Sequence, residues 1–353
     1  MDLAILSDLH LTNNLPYTVA GDYYRKNQLE KYITEFFLKI KEEVDVLVIP
    51  GDICHSTNLG PDDLDLLMFF IDKVKESKIR TIFCLGNHDL DGSKSILSFL
   101  NRIDKFSNIH YKEGLSHTYI YDDAIFDVIN YCPHHVFLKR ALFLGENQPR
   151  TRYSVLVGHI GVKGTLHGTT KSIVGVKKED IEKFSEYYDL IILGHHHKFQ
   201  WVTDKCLYAG AIQQTRIDEI NTVPGGLIVS LPHLTTKLIE NTFSPRFAIV
   251  DQDTFVPEIV ANSIVKPIVD TEGKTEEENK EFLKEIVAQG PYYLIKPRLK
   301  RTFLIKEGGH EYSVTKKRIA LLKTMKEFDL KEKRPKKFYT HTLDMYEKIK
   351  GSS

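Results

Sequence analysis

Thiols are scarce in this chain and badly placed for pairing. The four cysteines, Cys54, Cys84, Cys132 and Cys206, form no CxxC motif. That excludes a zinc ribbon and a disulfide framework and leaves reduced thiols, as expected of a cytoplasmic protein. Long apolar runs are missing too: none approaches the roughly 18–20 residues of a membrane helix, so no membrane partner is expected. The N-terminus, MDLAILSDLHL, has no basic stretch and no small-residue cleavage site, so no secretory signal is expected. Net charge is absent, with 48 Lys and Arg against 48 Asp and Glu. The balance hides an asymmetry. From Pro291 onward there are 17 basic residues against 7 acidic ones. Such a tail suits nucleic acid or an acidic partner, or is simply a solvated helix surface.

What is present reads as an ordinary globular protein, 42% hydrophobic and 27% charged over 353 residues. The length suits a main domain of about 200–250 residues plus something smaller. Apolar strands alternate with helices of 3.6-residue period. LAILSDLHL is a strand and loop. Residues 25–43 are a helix, with Leu29, Ile33, Phe36, Phe37 and Ile40 on one face. VDVLVIPGDI, a helix at 62–77, and IRTIFCLGNHD follow. Further strands lie between Tyr119 and Tyr131, in YSVLVGHIGV, YDLIILGHHHKF, CLYAGAI and GGLIVSL, with a helix at 177–188 and a turn at Pro224-Gly225-Gly226. This alternation predicts an α/β fold with parallel strands, whose ligand crevice lies at the strands' carboxyl ends. A boundary near Ser244-Pro245 separates residues 1–243 from a small α+β unit at 244–310. A basic helical segment occupies 311–353, with a helix over 313–330.

Each apolar strand closes on a polar cluster: SDLH (Asp8, His10), GDICH (Asp52, His55), GNHD (Asn87, His88, Asp89), GH (His159) and GHHH (His195, His197). Residues two apart in an extended segment share a side, so Asp8 with His10, and His195 with His197, can converge, while His196 points away. Aspartate, asparagine and imidazole donors in this number exceed the needs of one ion and suit two divalent metals sharing a carboxylate. Manganese or iron fits better than structural zinc, since no thiolate takes part. Two such ions clamp a phosphate, and a histidine outside them can protonate the leaving oxygen. His134 and His135 are placed on a surface loop in preference to the cleft wall, and His167 on the surface of the loop after His159, with contact to nucleic acid as the alternative.

These motifs, in this order, resemble the calcineurin-like metallophosphoesterases over roughly residues 1–232. The resemblance implies a four-layer αββα sandwich. It implies that Asp8, His10 and His197 hold one metal with Asp52, and that Asp52 bridges to a second held by Asn87, His159 and His195. His88 would be the acid, oriented by Asp89. Finer features, namely His55 three residues after Asp52, GHHHKFQ followed by LYAGAIQQTRIDEI, the loop after His159 and a small domain from SPRFAIVD, are similar to the SbcD-type DNA repair nucleases. Cys54 stands where that pattern has phenylalanine, and YAGA replaces YPGS. The resemblance implies a manganese-dependent nuclease of DNA repair, recombination or replication. It implies 3′→5′ exonuclease action on duplex ends, endonuclease action on single strands or hairpins, His55 on DNA phosphates and a DNA-facing cap at 244–310. The 311–353 segment would dock an SbcC-type ATPase, in a homodimer or a heterotetramer with that ATPase. A metallophosphatase or cyclic-nucleotide phosphodiesterase is the alternative; His55 and the cap speak against it.

Overall fold

The computed structural model describes residues 1–300 apart from 16, 18–23, 93, 103–107, 150, 262, 271–272 and 296. The helical segment expected at 311–353, and residues 301–310 of the cap, lie outside the described residues.

The first unit, which ends at Ser244, is built on two six-stranded sheets. In the first, β1 (Asp2–Ile5), β2 (Val46–Pro50), β3 (Arg80–Cys84) and β4 (Ile109–His110) run parallel. In the second, β5 (Ser116–Tyr121) and β6 (Ala124–Ile129) form a hairpin, and β6 runs parallel to β7 (Tyr153–His159), which runs parallel to β8 (Leu190–Gly194). The hairpin strand β9 (Gln200–Thr203) and β10 (Cys206–Tyr208) complete that sheet. The first sheet is closed at its other edge by β11 (Gly225–Ser230) and β12 (Thr235–Glu240), both antiparallel to their neighbours.

The alternation of each strand's side chains generates the layers. Leu3, Ile5, Val46 and Val48 of the first sheet meet Phe126, Val128, Val155, Val157 and Ile192 of the second in one apolar interior. The opposite faces of the same strands take helices. Ala4, Leu47, Ile49 and Phe83 pack on α1 (Tyr24–Ile40) and α2 (Pro61–Ser77). Ile129, Leu156, Ile191 and Leu193 pack on α3 (His134–Asn147) and α4 (Lys178–Phe184). Covered on both faces, the central strands are apolar throughout, as parallel strands must be. The result is the expected four-layer αββα sandwich.

Two local readings change. His134 and His135 open α3 instead of lying on a loop; Pro133 precedes the first turn, where its missing N–H costs nothing. The turn expected at Pro224-Gly225-Gly226 is the start of β11. An added Cβ on Gly226 would press into the Phe36 ring and within 2.8 Å of Leu6, so glycine serves close packing there, not chain reversal.

The second unit takes in Tyr17 as well as the residues from Pro245 onward. Here β13 (Phe247–Val250), β14 (Ile264–Asp270) and the short β15 (Tyr293–Leu294) are parallel, and β16 (Arg298–Lys300) also pairs with β14. Helix α5 (Glu276–Ala288) buries Phe282 and Ile286 against Ala248, Val250 and Val265. Thr275 starts that helix with a reciprocal cap. Its hydroxyl accepts from the Glu278 N–H, and the Glu278 carboxylate accepts from the Thr275 N–H.

No helix among the described residues is long and apolar enough to cross a membrane.

Candidate metal centre

Every polar cluster read from the sequence follows the carboxyl end of a parallel strand. Asp8 and His10 follow β1, Asp52 and His55 follow β2, and Asn87, His88 and Asp89 follow β3. His159 is the last residue of β7, and His195 and His197 follow β8. The hydrogen-bond ladder between the first two strands continues past their ends, with Asp8 N donating to the Gly51 carbonyl (3.1 Å) and His10 N to that of Asp52 (3.0 Å). The two sheets are stitched by His195 N, which donates to Asp8 Oδ1 at 2.9 Å.

Convergence requires unusual backbone. Asp8, His10, Asp52 and His195 all have positive φ (47°, 43°, 51° and 102°). L-residues avoid this region at a cost of about 1–3 kcal/mol each, and such strain gathers where function fixes the geometry. Gly51 (φ 100°) has no Cβ to spare, for one would come within 2.7 Å of Gly86 N.

Three sets of donors converge among the described residues. Asp8, His10 and His197 form the first, Asp52, His159 and His195 the second, and His10 with His55 and His88 a third. Asp52 Oδ2 lies 3.7 Å from His10 Nε2 and 3.3 Å from His159 Nε2, so one carboxylate oxygen reaches both. Asn87 joins the second set, its Oδ1 being 3.2 Å from His195 Nδ1. Asp8, His10, Asp52, His159 and His197 are buried, whereas His55, Asn87, His88 and His195 are half-buried and leave the centre one open side.

The fit to cations follows from the tautomers. His159 Nδ1–H donates to the Pro50 carbonyl (2.8 Å), and His197 Nδ1–H to Glu219 Oε1 (2.7 Å). In the neutral rings the lone pairs are therefore on Nε2. His159 Nε2 is buried without a hydrogen bond and faces the acceptor Asp52 Oδ2; His197 Nε2 lies 3.0 Å from His10 Nε2. A buried imidazole lone pair facing a carboxylate oxygen, as at His159 and Asp52, calls for a proton or a metal cation between them. The titration directions agree. Burial works against a charged His159, yet the Asp52 carboxylate, Asp8 and the Pro50 carbonyl outweigh it and hold its pKa up at about 9. Burial likewise raises Asp52, but His159, His10 and His88 outweigh it and leave it below the usual range. The centre thus demands positive charge beside Asp52. His195 is pushed down to about 3 by burial and by its histidine neighbours, as suits a neutral ligand. The residues present therefore fit two divalent cations.

Three supporting contacts escaped the sequence reading. Glu219, buried, fixes His197 and also accepts from the N–H groups of Thr215 and Arg216. Its signal was only an acid 22 residues beyond its partner. Orienting a ligand in this way typically carries 10–100-fold in metal affinity. Glu219→Gln is expected to weaken uptake at the Asp8–His10–His197 set by about that factor, read by calorimetric titration with manganese. Gln213 Nε2 donates to the carbonyls of Leu9 and His10 (both 3.0 Å) and its Oε1 accepts from the buried Arg25 guanidinium, which clamps the strained turn at His10. Ser7 donates to Asp8.

Asp89 requires a correction. The His88 ring is not held by it: His88 Nδ1 lies 2.7 Å from the His55 carbonyl. Asp89 instead accepts from Cys54 N (3.0 Å) and Gly86 N (2.9 Å), bracing the loops after β2 and β3. The next-door position made an orienting role plausible, but the turn at residues 87–89 directs the two side chains apart.

His196 faces away from the donors. The Thr165 hydroxyl donates to the Val162 carbonyl (2.6 Å), so its oxygen accepts from His196 Nδ1–H (2.7 Å); the ring stacks on Tyr208 at 4.7 Å. His196→Ala is expected to leave manganese uptake unchanged while lowering stability by about 1–3 kcal/mol, since a buried bond is lost. Thermal melts beside metal titrations separate the two effects.

Known proteins support the same reading. The family model described as calcineurin-like phosphoesterase matches residues 1–199. The putative phosphoesterase 244L of Invertebrate iridescent virus 6 is 25% identical over 215 residues, covering 59% of this chain and 73% of its own. The SbcD component of the nuclease SbcCD of Staphylococcus saprophyticus is 24% identical over 242 residues, 60% of this chain and 62% of its own. The DNA double-strand break repair protein Mre11 of Methanopyrus kandleri is 25% identical over 215 residues, 56% of this chain and 44% of its own. The chain thus spans less than two thirds of the last two relatives. With more than half of its length matched by the family model, and with the donor geometry above, this chain belongs to the calcineurin-like phosphoesterases.

Proposed function

We propose that the chain is a manganese-dependent DNA nuclease, working in the cytoplasm in DNA repair or recombination. It cuts duplex ends as a 3′→5′ exonuclease and single strands or hairpins as an endonuclease. The observation that carries this reading is the pair of half-buried imidazoles on the open side. His55 and His88 are stacked, with centroids 5.7 Å apart and an interplanar angle of 25°, next to His10 (5.3 and 4.8 Å). Relatives named as a nuclease subunit and as a DNA double-strand break repair protein support it.

The contacts support the following roles. Asp8, His10, His197 and Asp52 would hold one divalent ion; Asp52, Asn87, His159 and His195 the other. Such ions supply Lewis acidity and lower the pKa of water. His88 donates Nδ1–H to the His55 carbonyl, which leaves Nε2 to take up a proton from solvent and, in the doubly protonated ring, pass it to the leaving oxygen. His55, held neutral by burial and by His88 and Arg25, offers an uncharged ring to the substrate phosphate. Asp89 keeps the two loops in register. Residues 244–310 would face DNA as a cap, and 311–353 would dock an SbcC-type ATPase, in a homodimer or a heterotetramer with that ATPase. DNA held mainly through phosphates would bind more weakly as salt rises.

The test is cleavage of an end-labelled duplex with manganese, beside p-nitrophenyl phosphate and a cyclic nucleotide. Shortening of the labelled strand is expected. Strong turnover of the monoester or the cyclic nucleotide with intact DNA would establish the phosphatase or phosphodiesterase alternative instead.

A further inference from the structure

His167 belongs to the hairpin that follows His159. Its ring lies against the whole histidine run, with centroids 6.3 Å from His195, 5.2 Å from His196 and 5.7 Å from His197. A surface position was expected; in the fold the residue is half-buried. Its place is fixed on both sides in sequence. Thr165 is bonded to His196. Leu166 exchanges two hydrogen bonds with the Gln200 amide, at 2.8 and 2.7 Å. Gly168 (φ 62°) leaves room for no Cβ against the Asp218 backbone.

The tautomer of this ring can be assigned. Arg216 Nη1 lies 3.3 Å from His167 Nε2. A guanidinium has donors only, so Nε2 is the acceptor, and the neutral ring carries its proton on Nδ1. Yet Nδ1 is buried and has no hydrogen-bond partner among the described residues. A donor fixed in orientation, desolvated and unused costs free energy in the absence of an acceptor.

We propose that His167 Nδ1–H, set by Arg216, is a phosphate-binding donor that takes an anionic oxygen of the substrate beside the metal centre. This rests on the phosphoester reading above and deepens it. The acceptor's class follows from the surroundings. Cations held beside Asp52 would draw an anionic ester to this place, and a phosphodiester's non-bridging oxygens are acceptors only. A neutral N–H recognises such an oxygen without adding charge next to cations that a protonated histidine would repel. His167 is then a substrate contact, and Arg216 is a positioning residue that acts through it.

The experiment uses the full chain with manganese and three variants, His167→Phe, His167→Gln and Arg216→Met. Inhibition by inorganic phosphate is measured with bis(p-nitrophenyl) phosphate as substrate, and steady-state kinetics are run on that diester and on a labelled oligonucleotide. His167→Phe keeps the ring's bulk and removes the donor. It is expected to raise the phosphate inhibition constant and the KM about tenfold, the usual weight of one bond to a charged oxygen, with kcat changed far less. His167→Gln, with an amide donor, recovers part of the loss. Arg216→Met, at an exposed position, shifts KM in the same direction by a smaller factor, so the idea stays testable even if His167 variants fold poorly. A KM effect on both substrates places the oxygen on the scissile phosphate, and an effect on the oligonucleotide alone places it on a flanking one. Unchanged phosphate inhibition and unchanged KM in all three variants would overturn the proposal. Turnover of the small diester with no cleavage of DNA would sink the nuclease reading while still deciding His167 through phosphate inhibition.

Discussion

His88→Asn is expected to lower kcat on DNA by about 10²–10⁴-fold, the range of general acid catalysis. Metal uptake and DNA affinity should stay near wild type. His88 stands on the half-exposed side of the centre, outside the buried donors, and its Nδ1 is committed to the His55 carbonyl. Only Nε2 is left to act. The diagnostic comparison is the leaving group. A DNA strand leaves as an alkoxide that needs a proton, whereas p-nitrophenolate leaves without one. Cleavage of bis(p-nitrophenyl) phosphate should therefore fall far less than cleavage of DNA. Equal losses on both substrates, or a matching loss of manganese binding, would remove the acid assignment and leave His88 a structural residue. The backbone of His88 has its own task, since its N–H donates to Asp52 Oδ1 (2.9 Å); substitution of the side chain leaves that bond in place.

Gly86→Ala is expected to be more damaging than any loss of a single donor. A Cβ at this position would overlap Asp52 Oδ1 and Asp52 N and come within 2.8 Å of Asp52 Cγ. Nothing there is a flexible side-chain end. The carboxylate shared by the first two donor sets and the backbone that carries it would have to move together. Overpacking of this kind costs about 1–3 kcal/mol in a core, and here the shift also spoils both cation pockets at once. Manganese titration should show loss at both sites, with a melting temperature lowered by several degrees, since about 1 kcal/mol moves a domain of this size by roughly 2–4 °C. A variant that binds two ions with wild-type affinity would show that the loop after β3 has slack the structure denies it.

The sequence carried the centre's donors because each sits at or just past the end of a continuous apolar strand, where the abrupt change to polar residues speaks directly. It carried His195 and His197 as a pair with a spacer, although the backbone at His195 (φ 102°) is not extended and the turn there has a part in their convergence. What stayed hidden depends on tertiary approach. Glu219 meets His197 because the loop after β10 returns past the strand ends, and no local pattern records that return. The Pro50 carbonyl that sets the tautomer of His159 is backbone and leaves no trace in residue identity. Helix α3 was missed because its pattern is blurred. Phe137, Ala141 and Gly145 face inward, but Phe143 is exposed, so the segment reads as apolar all round. Gly145, a poor helix former, is there because the Tyr187 side chain packs at 2.7 Å from where its Cβ would be. Asp89 was given the wrong task because adjacency in sequence was read as adjacency in space.

The stitch between the sheets bears on how the protein assembles. His195 N to Asp8 and His10 to His197 each join residues 187 positions apart. Contacts of such separation are late in folding, because the loop they close must be ordered before they reward it. Neither sheet alone carries the first or the second donor set complete, so neither pocket can grip a metal ion until both sheets have formed and docked. Manganese should accordingly leave the refolding rate nearly unchanged and slow unfolding, acting as a lock on the finished molecule and not as a seed for it.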